Sequence, residues 1–189
     1  MNKQASGSVV TGVAIFWDLQ NCRATEEQIQ CLVGFAYLQG NIMLKKVYSD
    51  WQLEKNRKLQ DKFYREGFEI ISIPSYKNKP NRTDEKLIRD CRQQALERPD
   101  IHTVILFSGD GDFKTSVRDL KDNGKKAIVI AQCEKNTSQA LRIVADEFYF
   151  LSEIEQQFRN LQFATSTRGI SIPFYIQKSQ DTEKKCMNC

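Results

Sequence analysis

The sequence predicts an α/β fold with a central, mainly parallel sheet covered by helices on both faces. Three observations lead there. Short apolar or β-branched runs alternate with amphipathic helical stretches; three of those runs are followed within three residues by an aspartate; and 189 residues suit one domain with a substantial core. Parallel neighbours need long crossovers, and here the helices supply them.

The first strand covers 13–17 and is closed by Asp18. Thr25 and Gln28 have capping-box spacing, and Ile29, Leu32, Val33, Ala36 and Tyr37 recur at helical intervals, which predicts a helix over 26–38. Gly40-Asn41 turns the chain into a strand over 42–49, ended by Asp50. A helix over 53–66 follows with Gly67 as its stop, and then a strand over 68–73 that halts at Pro74. Residues 75–82 form a polar loop carrying Lys77, Lys79 and Arg82. Thr83 is the expected cap of the next helix, whose inner stripe is Leu87, Ile88, Cys91, Ala95 and Leu96 and which places Asp84 in its first turn.

The fourth strand, 103–107, is apolar or β-branched at every position, which suits a strand buried on both faces. It breaks at Ser108-Gly109-Asp110-Gly111-Asp112, before a helix over 113–122 that stops at Asn123-Gly124. A strand over 127–131, a helix from a cap at Asn136 or Thr137 to 145, a short strand over 147–151 and a helix over 152–159 complete the pattern. We therefore expect a flexible N-terminus at 1–11, one folded domain over 12–160 and a C-terminal tail over 161–189. The tail has an apolar island at 170–176 that would add an edge strand or dock on a second copy or a protein partner.

Composition narrows the class. No run approaches the roughly 18 apolar residues of a membrane span, and residues 1–8 lack signal-peptide regions, so a cytoplasmic protein is expected. The net charge of +4 permits nucleic-acid binding without arguing for it. Cys22, Cys31, Cys91 and Cys133 have no metal-ligand spacing and read as small hydrophobes. Cys186 and Cys189 supply half a zinc site at most, and His102 is the sole histidine.

All strands of a doubly wound parallel sheet end on one edge, so Asp18, Asp50 and Asp110 emerge together, with Asp84 at the start of a helix that returns over the sheet. Like charges within about 4 Å cost on the order of 4 kcal/mol per pair at an effective dielectric near 20. Hard divalent cations, Mg²⁺ or Mn²⁺, relieve that cost, and carboxylate-held ions support in-line attack on a phosphodiester. Asp110 is the expected ligand of its turn, while Asp112 binds through water, orients Asp110 or caps the helix. Lys77, Lys79, Arg82 and Lys86 would hold a phosphate backbone, and Trp51 and Tyr76 would stack bases; Phe113 belongs to the core.

Three stretches, Val-Ala-Ile-Phe-Trp-Asp18-Leu-Gln-Asn21, Thr83-Asp84-Glu-Lys-Leu and Phe-Ser108-Gly-Asp110-Gly-Asp112-Phe, resemble the NYN domain family of PIN-like ribonucleases. The resemblance implies a PIN-like three-layer α/β/α sandwich and metal-dependent endonucleolytic cleavage of single-stranded or structured RNA. It also implies that Asp18, Asp84 and Asp110 match the acidic metal-binding triad, that Asp50 and Asp112 match less uniform acids, and that Asn21 and Ser108 support them. The alternative is an NYN-type module that binds RNA or protein without cutting. A dinucleotide site is disfavoured, because Gln20-Asn21-Cys22 replaces the Gly-rich turn after the first strand.

Overall fold

The computed structural model describes residues 11–74 and 82–168. Strands β1 (Gly12–Asp18), β2 (Asn41–Ser49), β3 (Glu69–Ser72), β4 (Ile101–Phe107), β5 (Lys126–Ala131) and β6 (Glu147–Phe150) form one sheet in the order β3-β2-β1-β4-β5-β6. Every pairing is parallel. The helices are α1 (Glu26–Gln39), α2 (Glu54–Arg65), α3 (Arg82–Cys91), α4 (Lys114–Asp122), α5 (Gln139–Val144) and α6 (Leu151–Arg168). The chain winds outward from β1 to β3 and returns to place β4 on the other side of β1. That reversal opens a crevice between the carboxyl ends of β1 and β4.

Strand alternation divides the core. Val13, Ile15 and Trp17 face α1, α2 and α6, whereas Ala14 and Phe16 face α3, α4 and α5, giving a three-layer α/β/α sandwich. Trp17 stacks on Phe107 of β4 with ring centroids 4.0 Å apart, so the two strands that border the crevice are locked by a buried aromatic pair. The expected capping box is present: Thr25 Oγ1 accepts from the Gln28 amide, and Gln28 Oε1 accepts from the Thr25 amide. Gly67 has φ +76° and closes α2; its amide donates to Tyr64 O while that of Phe68 reaches Phe63 O, the double bond of a Schellman stop.

Several local expectations are corrected. Thr83 is not a cap but a buried residue inside α3, which starts at Arg82. The cap of α5 is Ser138 rather than Asn136 or Thr137, because residues 134–136 form a short 3₁₀ turn first. α6 passes the expected end at 159 and runs to Arg168, since no Gly or Pro interrupts it before Gly169. Cys22 and Cys91 are buried, but Cys133 is exposed beyond the end of β5. The N-terminal segment 1–10, the island at 170–176 and the Cys186/Cys189 pair lie outside the described residues. Among the described residues, no helix is long and apolar enough to cross a membrane.

Candidate metal centre

Asp18 is the last residue of β1 and is 2% exposed. Its Oδ1 accepts from the amides of Gln20 at 3.0 Å and Asn21 at 3.3 Å, and its Oδ2 accepts from Ser108 Oγ at 3.3 Å. Both oxygens are therefore held, one by its own turn and one across the crevice. Asn21 completes the crossing: its Oδ1 accepts from the Gly109 amide at 2.9 Å. The ends of β1 and β4 are thus joined by two side-chain bonds beyond the sheet ladder.

The turn after β4 is shaped by close packing. A Cβ on Gly109 would stand 2.5 Å from Asn136 O, so only glycine lets the 134–138 loop close over it; the Ser138 amide donates to Gly109 O at 2.9 Å. Asp110 caps the short 3₁₀ turn Gly111–Phe113, its Oδ1 accepting from the Asp112 amide at 3.0 Å. Capping thus falls to Asp110, and Asp112 is left exposed with its carboxylate beside the others.

Asp84, in the first turn of α3, completes the group. Carboxylate oxygens of Asp84, Asp110 and Asp112 all lie within 4.8 Å of one another. Asp84 and Asp110 are half-buried and Asp112 is exposed. Burial, followed by the charges of Asp110, Asp112 and Glu85, pushes the Asp84 carboxyl up to about 6. Asp18 stands beside this group: burial and then the Asp84 charge push it up to about 7, against the lowering effect of its bonds from Asn21, Gln20 and Ser108. Both shifts mark acids placed together at an electrostatic cost.

The donor set fits a hard divalent cation. Oxygens on an octahedral ion with 2.0–2.1 Å bonds are about 2.9 Å apart when adjacent and about 4.2 Å apart when opposite, and the three carboxylates, whose oxygens lie within 4.8 Å of one another, come near that range. All the donors are oxygen. His102 accepts from the Gly12 amide at the opposite end of the sheet, and among the described residues no cysteine joins the group.

The other expected site residues are placed differently. Asp50 is 4% exposed, its Oδ1 accepts from the Gln52 amide at 3.1 Å, and it is not one of the three gathered acids. Trp51 is not free to stack on a base: it is 5% exposed, its indole donates to Ile71 O at 3.0 Å, and its ring packs edge-on against Phe63. Phe113 is fully buried, as expected. The Arg82 guanidinium donates to Pro74 O at 3.4 Å, and the Lys86 ammonium is turned along its helix onto Asp90. Tyr76, Lys77 and Lys79 lie outside the described residues. Sequence reasoning missed Asp90 and the 134–138 loop. Asp90 follows Thr83 and Leu87 at positions i+7 and i+3 on a buried stripe, a signal that was available; the loop's approach to Gly109 had none.

The NYN domain model matches residues 12–153. A crystal structure of a protein of unknown function from Vibrio parahaemolyticus is similar at 25% identity and a TM-score of 0.64, covering 77% of this chain and 96% of that one. An apo levoglucosan dehydrogenase covers 74% of this chain and 34% of its own at 12% identity, with a TM-score of 0.38 too low to support any inference. No curated relative matches in sequence. With a family model that spans the whole sheet and an acidic crevice at its switch point, the chain belongs to the NYN domain family.

Proposed function

We propose that this ribonuclease-like domain is a Mg²⁺- or Mn²⁺-dependent endoribonuclease acting on single-stranded or structured RNA. The observation that carries the proposal is the meeting of Asp84, Asp110 and Asp112, from two separate elements, at the switch point of the sheet. Asp84, Asp110 and Asp112 would hold the ion, and Asp18, fixed at both oxygens, would orient water or an ion-bound ligand beside them. A divalent ion there would supply Lewis-acid charge and a nucleophilic water for phosphodiester hydrolysis. Asn21 and Ser108 keep the two strand ends at a constant spacing, so the acids are organised before substrate arrives. The basic segment that carries Lys77 and Lys79 leads directly into α3, and Arg89, Lys114 and Arg118 lie on the helices that begin at the acids. These cations suit a phosphate backbone passing over the crevice.

Labelled RNAs of several structures, incubated with Mg²⁺, Mn²⁺ or EDTA, test the activity. We expect internal cleavage that EDTA abolishes and that Asp110→Asn lowers at least a hundredfold. Equal inertness of wild type and Asp110→Asn on every RNA with either ion would overturn the catalytic proposal and leave a binding module.

A further inference from the structure

The face of the sheet covered by α3 holds a second set of buried ionisable groups. Asp90 is 1% exposed in the last turn of α3, on the same stripe as the buried Thr83 and Leu87. Its Oδ2 accepts from the Tyr48 hydroxyl at 2.9 Å, and the Lys86 ammonium binds Oδ1. Lys46 Nζ lies 4.0 Å from Asp90 Oδ2 and 2.8 Å from Glu69 Oε2, so two cations balance two anions. Burial, and next the bond to Asp90, push the Tyr48 phenol well up, which keeps it a donor.

Apolar residues replacing the whole set would pack this stripe about as well, since buried charge networks often only break even against hydrophobic replacements. What the carboxylate adds is direction. The apolar contacts of Leu87, Cys91 and Ala95 tolerate small slides and rotations, whereas a hydrogen bond from a ring fixed in the sheet does not. Tyr48 is also tied to the site's other side. It pairs with Asp18 in the β1–β2 register, and its carbonyl accepts from the Leu19 amide at 3.1 Å. One residue thus holds the end of β1 through its backbone and α3 through its hydroxyl. Asp84 lies about 9 Å along that helix from Asp90, by the rise of an α-helix.

We propose that Tyr48 and Asp90 are positioning residues, whose hydrogen bond sets Asp84 against Asp18 and the Asp110/Asp112 turn. The first readout below rests on the metal-site proposal; the second does not.

Mn²⁺ binding is followed by electron paramagnetic resonance in wild type, Tyr48→Phe and Asp90→Asn. Ile29→Val, a core change on the opposite face of the sheet, serves as a stability control. Tyr48→Phe keeps the ring and removes only the hydroxyl. We expect both positioning variants to weaken Mn²⁺ binding by ten- to hundredfold, with the control unchanged. In the metal-free proteins, the backbone amide resonances of Asp110 and Asp112, which belong to another element, should shift in Tyr48→Phe and not in Ile29→Val. If wild type binds Mn²⁺ and both positioning variants bind it equally well, the proposal is overturned. If wild type binds no Mn²⁺, the metal site fails instead and the amide shifts decide: movement at Asp110 and Asp112 upholds the pair, and none overturns it.

Discussion

Burial, followed by repulsion from Asp110 and Asp112, disfavours the Asp84 carboxylate, and that makes its removal informative. Asp84→Asn deletes a carboxylate disfavoured by burial and by Asp110 and Asp112. We expect it to stabilise the metal-free protein by on the order of 1 kcal/mol, or roughly 2–4 °C in Tm, while abolishing RNA cleavage. A lowered Tm would show instead that Asp84 acts as a structural cap. The same burial and repulsion set a pH dependence. Asp18 and Asp84 have folded pKa values of about 7 and about 6, above the ordinary carboxylate value, so the native state keeps protons that the unfolded chain has released. Their contribution to stability is full below about pH 4 and is lost as pH rises through 6 and 7. Thermal melts of the metal-free protein from pH 5 to 8 should show Tm falling over that window, with a smaller fall in Asp18→Asn; parallel curves for the two proteins would separate Asp18 from the effect.

At the scale of elements, the site depends on the packing of one loop against one turn. Gly109→Ala places a methyl group 2.5 Å from Asn136 O, so either the 134–138 loop or the turn holding Asp110 must move. We expect a loss of about 1–3 kcal/mol in stability and weaker divalent-ion binding in the same variant. Unchanged ion binding would mean that the loop yields and the turn does not. Trp51 presents the opposite case, a turn residue expected to stack on a base that is buried instead. It lies in the turn after Asp50, yet the indole bridges to β3 and closes the core over Phe63. Most of the element order was legible because each strand carries its own apolar run and each helix its own stripe. The extra length of α6 was not, since the polar residues after 159 read as tail although nothing in them breaks a helix.

For the molecule as a whole, ion binding should appear as stability. A ligand that binds only the native state at 100 times its Kd adds about 2.7 kcal/mol, which is roughly 5–10 °C for a chain of this size. Mn²⁺ or Mg²⁺ should therefore raise Tm by that amount near pH 7, more than at pH 5, where Asp18 and Asp84 hold protons; Asp110→Asn should remove most of the rise. An equal rise in wild type and Asp110→Asn would place the ion elsewhere.

The local pattern alone determined that this chain makes a wound parallel sheet, and that Asp18, Asp84 and Asp110 come to one edge, because strand direction dictates which end of each strand a following residue occupies. It did not determine which acids touch. Strand order decided that: β4 lies beside β1, bringing Ser108 and Gly109 onto Asp18 and Asn21, while Asp50 after the end of β2 is not among the three gathered acids. Asp112 joined the group because Asp110 took the capping role. Burial likewise decided the fate of Trp51, whose partners Phe63 and Ile71 are distant in the chain. Periodicity reports which face of an element turns inward; only packing reports what it meets there.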